Sequence, residues 1–111
     1  MSGTLDISTE RVGDRATVIC VGEIDEATAH QLSRALGHAM EPDINALHVD
    51  MSGVRFLDST GLRSLVVAAT QCEGLGMSFS LATSPWVDRL LEVAGMRDLV
   101  HGRRPPAPTD G

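Results

Sequence analysis

The segment with the most chemical potential is Leu57-Asp58-Ser59-Thr60-Gly61-Leu62. A hydroxyl directly follows a carboxylate, at the point where an apolar helical stripe begins. Either Asp58 or Ser59 suits the N-cap, and spacing does not choose between them. The plain reading is a helix cap worth about 1 kcal/mol. The chemical reading is a phosphoryl acceptor. A phosphate on Ser59 would stand at a helix N-terminus, where free N–H groups and the macrodipole favour an anion. Gly61 would leave that backbone unshielded. The helix end favours an exposed anion by only roughly 0.3–1 kcal/mol, too little to refold a domain. The added charge of about -1.5 to -2 matters more to a partner pressed on the same spot. A buried, unpaired charge in an interface costs about 2–5 kcal/mol. The segment therefore reads as a binding switch that leaves the fold intact, with Thr60 as the alternative acceptor.

Other residues qualify that reading. Glu23, Asp25 and Glu26 form one acidic cluster, and Asp50 and Asp58 lie in or near a second. If the two loops share a sheet edge, carboxylates surround Ser59 and form a rim for a basic partner. Asp25 or Asp58 would then orient the hydroxyl. No His or Cys completes a divalent metal site there, so no metal is expected. His30, His38, His48 and His101 are scattered, with no ligand spacing. A serine at a strand-to-helix turn also invites a hydrolase reading through Gly-x-Ser-x-Gly. Leu57 occupies the first glycine position, and only His101 lies downstream as a base. Cys20 and Cys72 read as two core thiols in a reducing compartment. Trp86, beside Pro85, is expected to pack over a helix start, the alternative being a partly exposed contact residue.

Alternating elements must position these residues. Leu5, Ile7 and Thr9 alternate with Asp6, Ser8 and Glu10 as a short strand, and Gly13-Asp14 marks a turn. Ala16 to Gly22 is a continuous apolar, β-branched run, expected as a strand buried on both faces. Thr28 and Gln31 have the spacing of a capping box. Leu32, Ala35, Leu36, Ala39 and Met40 follow at helical spacing until Pro42 stops them. Ala46 to Asp50 reads as a third strand, and Ser52 to Gly61 as a loop. Leu62, Leu65, Val66, Ala69 and Cys72 trace a second helix, closed by Gly74. Met77 to Leu81 reads as a fourth strand. Ser84-Pro85 opens a third helix through Val87, Leu90, Leu91 and Ala94, ended by Gly95. Leu99-Val100 adds an edge or a turn.

The order β-β-α-β-α-β-α implies an α/β fold. Its mixed sheet of four to five strands is largely parallel, with an N-terminal hairpin and helices mainly on one face. The functional surface then falls at the carboxyl ends of the strands. Two loops qualify, Gly22 to Thr28 and Ser52 to Gly61. Residues 1–101 are expected to form one domain. His101 to Gly111, with three prolines and two glycines, reads as a disordered tail from residue 102 onward.

Composition removes several classes of function. The 111 residues carry 15 acids against nine basic residues, all arginine, for a net charge of -6. Nucleic acid and anionic membranes need clustered cations, and the longest basic run is Arg103-Arg104. Phe56, Phe79 and Trp86 are too few for a base-stacking platform. No apolar run approaches the ~20 residues of a membrane span. Met1 to Thr9 carries one acid, Asp6, and no basic stretch, so an export signal is not expected and the cytoplasm is.

Gly22-Glu23-Ile24-Asp25, Thr28-Ala29, Leu47 to Asp50, Phe56 to Leu62 and Ser84-Pro85 through Ala94-Gly95 occur in the order found in STAS domains. The chain most resembles their bacterial anti-sigma factor antagonists, over about Leu5 to Val100. Ile24 stands where leucine is common, and Thr60 where a second serine is common. The resemblance implies a protein with no catalytic activity and no cofactor. Unphosphorylated, such a protein binds an anti-sigma factor that is also a GHKL-type serine kinase, and the sigma factor is released. The kinase modifies the serine after the motif aspartate, here Ser59, and a PP2C-type phosphatase restores it. Asp25 matches the acid beside that serine. The implied partner surface comprises Glu23, Asp25, Glu26, Asp58, Thr60, Gly61 and Arg63, on a chain that is monomeric when free. The same fold could also serve as a scaffold or sensor for another regulator or small ligand.

Overall fold

A computed structural model of the protein describes residues 4–101. Four strands, β1 (Leu5–Val12), β2 (Arg15–Ile24), β3 (Ala46–Leu57) and β4 (Ser78–Thr83), form one sheet in the order β1-β2-β3-β4. β1 and β2 are the antiparallel hairpin, turned at Gly13; β2–β3 and β3–β4 are parallel. Helices α1 (Ala29–Ala39), α2 (Ser59–Gly74), α3 (Pro85–Ala94) and the short α4 (Asp98–His101) complete the chain. Leu99-Val100 is therefore helical, and the tail from residue 102 lies outside the described residues.

The core lies on one face of the sheet. Ala16, Val18 and Cys20 of β2, Leu47, Val49 and Met51 of β3, and Phe79 and Leu81 of β4 are all buried. They face Leu32 and Leu36 of α1, Leu65, Ala69 and Cys72 of α2, and Val87 and Leu91 of α3. Alternate residues point away from the helices. Thr17, Ile19, His48, Asp50, Ser80 and Ala82 are half-buried, and Val21 is exposed. This corrects the expectation for Ala16 to Gly22. β2 is buried on one face only, and its β-branched outer residues pack laterally along an uncovered sheet. Both thiols are free and buried. Burial pushes Cys20 up to about 12, aided by the charge of Asp50, and Cys72 up to about 11. At neutral pH both are inert small hydrophobes.

Two elements run further than their local sequence suggests. β3 extends to Leu57 because Val21, Gly22, Glu23 and Ile24 continue to pair with Gly53, Val54, Phe56 and Leu57. The expected loop from Ser52 thus shrinks to Asp58. Beyond Thr83, where β4 stops, α3 packs beside the protruding end of β3.

Candidate functional site

The C-terminal ends of β2 and β3 lie in register, Ile24 beside Leu57. Asp25 and Asp58 are the next residues on adjacent strands, so both carboxylates emerge together. The Asp58 N–H donates to Ile24 O at 3.1 Å and joins the two loops. The arrangement follows from register and needs no long loop.

The N-cap of α2 is Asp58. Its Oδ1 accepts from Thr60 N at 3.0 Å, Gly61 N at 3.1 Å and Thr60 Oγ1 at 2.5 Å. Burial raises the Asp58 pKa, the three hydrogen bonds lower it, and the like charge of Asp25 raises it; the balance is below the ordinary carboxylate value. Asp58 is therefore ionised at neutral pH. The expectation of free N–H groups awaiting a phosphate is corrected, because Thr60 N and Gly61 N already serve Asp58. Gly61 is needed for a different reason than expected. A Cβ there would stand 2.4 Å from Leu57 Cδ1 and 2.6 Å from Ile24 Cγ2, so the first turn of α2 rests directly on both strand ends.

Asp58→Ala should cost about 0.5–2 kcal/mol at neutral pH through loss of the cap. The folded pKa is depressed, so this contribution is fully present above the unfolded value of about 3.9. It is lost as pH falls through the folded pKa. Urea midpoints of parent and variant, well separated at pH 7, should converge in acid. A constant separation would mean that the charge of Asp58 contributes nothing.

Asp25 organises the other loop. Its Oδ1 accepts from Ala27 N at 2.9 Å and Thr28 N at 3.1 Å. Its N–H donates to Thr28 Oγ1 at 2.9 Å, and that hydroxyl donates to Glu23 O at 3.0 Å. The Thr28–Gln31 capping box is not formed. Thr28 occupies the N-cap of α1 without capping it by its side chain, because its hydroxyl is turned back to hold the Glu23–Asp25 backbone.

Ser59 is the first residue of α2 and is exposed. Among the described residues its hydroxyl makes no hydrogen bond, to Asp25, Asp58 or any histidine. The expectation that a carboxylate orients Ser59 is thus met at Thr60 instead. Thr60 and Glu26 are also exposed. Arg63 is exposed one helical turn beyond Ser59. Glu23 is half-buried and pairs with Arg55 at 3.6 Å. Asp50 is not part of the cluster. It lies eight residues before Asp58, about 26 Å along the strand at ~3.3 Å per residue, and accepts from the Ser52 hydroxyl at 2.6 Å.

No local spacing announces Phe56 and Trp86 as a pair. Trp86 does not cover the start of α3; it is 47% exposed and stacks on Phe56, itself 37% exposed, with ring centroids 5.8 Å apart. Among the described residues no three His, Cys, Asp or Glu side chains converge on a possible metal site. No described helix is long and apolar enough to cross a membrane.

A mixed four-stranded sheet with a serine directly after the aspartate N-cap at the β3–α2 junction is the architecture of a STAS domain. The family model described as "Mlab, STAS domain" matches residues 7–101, and the chain belongs to the STAS domain family. It is 29% identical to the anti-sigma-B factor antagonist of Staphylococcus epidermidis over 98 residues, 87% of this chain and 91% of that one. It is 44% identical over 57 residues to the anti-sigma-F factor antagonist RsfB of Mycobacterium tuberculosis, 51% of this chain and 44% of that one. The crystal structure of an anti-sigma factor antagonist from Mycobacterium paratuberculosis superposes with a TM-score of 0.77 at 28% identity, covering 96% of this chain and 88% of that one.

Proposed function

We propose that this protein is an anti-sigma factor antagonist switched by phosphorylation of Ser59. Unphosphorylated, it binds an anti-sigma factor through Ser59 and the surrounding Glu23, Asp25, Glu26, Asp58, Thr60, Gly61 and Arg63, and the sigma factor is released. The partner is a GHKL-type serine kinase that transfers the γ-phosphoryl group of ATP to Ser59 Oγ, leaving ADP. A PP2C-type phosphatase removes the phosphate. The protein itself has no catalytic role. It works in the cytoplasm as one STAS domain over residues 1–101, monomeric when free. The relatives named above support the antagonist role.

The observation that carries the site is the contrast between neighbouring hydroxyls. Thr60 Oγ1 donates to Asp58 at 2.5 Å, so its proton is committed. Ser59 Oγ is exposed and unbonded among the described residues. Asp58 thereby acts on Ser59 at one remove, by holding the backbone that presents it and occupying the competing hydroxyl. Incubated with its cognate kinase and ATP, the protein should gain one phosphate, and peptide mapping should find it on Ser59. Ser59→Ala should gain none. Stoichiometric labelling of Ser59→Ala, or a phosphate mapped to Thr60, would overturn the assignment.

A further inference from the structure

We propose that the anti-sigma factor's footprint extends past Ser59 onto a preformed aromatic anchor, Phe56 stacked on Trp86, continued by Val93 of α3. The inference rests on the antagonist reading above and adds to it the apolar part of the interface. The serine and its carboxylates supply charge and a switch, but charged rims contribute more to encounter rate than to affinity. Affinity concentrates in a few rigid, well-packed anchors, among which tryptophan is over-represented.

Three observations converge on this patch. The first is exposure without a structural reason: Trp86 is 47% and Val93 76% exposed, while Val87 and Leu91 of the same helix fill the core. The second is rigidity. Phe56 sits on a paired strand, and Trp86 lies in the first turn of a helix whose N-cap Ser84 accepts from Val87 N at 3.2 Å. The two rings hold each other in a stacked geometry with an interplanar angle of 26°. Little side-chain entropy is therefore left to lose on binding. The third is continuity. Only Leu57 and Asp58 separate Phe56 from Ser59, three steps or at most about 11 Å of chain. A standard footprint of about 800 Å² per partner is a disc roughly 16 Å in radius. A partner seated over Ser59 reaches the aromatic pair without any rearrangement.

Charge gives the contact a direction. Glu23, Asp25, Glu26 and Asp58 make one side acidic, while Arg89 lies beside Trp86 and Val93. The matching surface of the anti-sigma factor carries a basic strip against the loops. Beside it lies an apolar side chain for the Trp86–Val93 groove, with a carboxylate facing Arg89.

The test is titration calorimetry of the full chain against its anti-sigma factor, with Trp86→Ala, Val93→Asp, Ser59→Asp and, as a control, Leu75→Asp. Leu75 is 66% exposed but caps the far end of α2. Trp86→Ala and Val93→Asp should each weaken binding at least tenfold, and Leu75→Asp less than twofold. Val93 packs against nothing essential, so it keeps the test valid if Trp86→Ala lowers stability. If Ser59→Asp abolishes binding while both anchor variants stay within twofold of the parent, the inference falls and the antagonist reading stands. Should the parent itself ignore the anti-sigma factor, both fall. Concentration-dependent self-association of the parent in sedimentation, lost in Trp86→Ala, would assign the patch to a second copy and overturn the proposal.

Discussion

Ser59→Asp should lose the anti-sigma factor by at least tenfold, while Ser59→Ala keeps it within a few-fold and both variants melt close to the parent. The effect is electrostatic and local. A carboxylate introduced at position 59 joins Asp58, which is ionised and hydrogen-bonded, and Asp25 on the adjacent strand end. The helix-end N–H groups that would otherwise receive it, those of Thr60 and Gly61, are already donating to Asp58. The remaining compensation is Arg63, one turn away and exposed, and such i,i+4 pairs contribute only about 0.2–0.5 kcal/mol. In the free protein the new charge is hydrated, so the cost is small. Under a docked partner it is stripped of water beside two like charges. Losing 1.4 kcal/mol is tenfold in affinity, and unpaired interfacial charges exceed that. A phosphate, with about twice the charge, should do more. Surface plasmon resonance on the three proteins measures this directly; equal affinities for Ser59→Asp and parent would remove the switch.

The motif and the alternation of elements were legible because both are local signals. Asp58-Ser59-Thr60-Gly61 announces a helix start within four residues, and Ser84-Pro85 and Gly95 bracket α3 as expected, with Gly95 in the left-handed conformation. What escaped depends on partners distant in sequence. Met51 to Leu57 contains Ser52, Gly53 and Arg55 and looks like a loop; it becomes strand because the end of β2 supplies a pairing edge. Ala16 to Gly22 looks doubly buried because nothing local distinguishes a β-branched residue beneath a helix from one on an open face. The choice of Asp58 over Ser59 as cap turns on which oxygen reaches Thr60 N, a matter of ångströms. Phe56 and Trp86 meet only after the chain has passed through α2 and β4, and no spacing rule connects residues 30 apart.

Gly22→Ala should be the most damaging single-methyl change in the domain, lowering stability by about 3 kcal/mol or more. Gly22 has φ +122°, a conformation that costs a residue with a Cβ roughly 1–3 kcal/mol. The added carbon would also stand 2.2 Å from Thr4 O, a backbone atom that cannot rotate away. Relief requires the start of β1 to move, which breaks the bond from Glu23 N to Thr4 O at 2.9 Å, worth about 0.5–1.5 kcal/mol. The position matters to function because Gly22 sits where the β2–β3 register shifts, between Gly22 paired with Val54 and Glu23 paired with Phe56. That irregularity sets Ile24 beside Leu57 and hence Asp25 beside Asp58. At roughly 4–8 °C per kcal/mol, the thermal midpoint should fall by more than about 10 °C. Gly37→Ala is the matched control. Gly37 lies within α1, and a Cβ there would meet nothing within 4 Å. Alanine should raise stability by about 0.5–1 kcal/mol through helix propensity. Opposite signs for the same methyl group in the two variants would show that backbone conformation and the Thr4 contact fix the strand end carrying the acidic loop. A Gly22→Ala midpoint within about 3 °C of the parent, well short of a fall of roughly 10 °C, would refute that account.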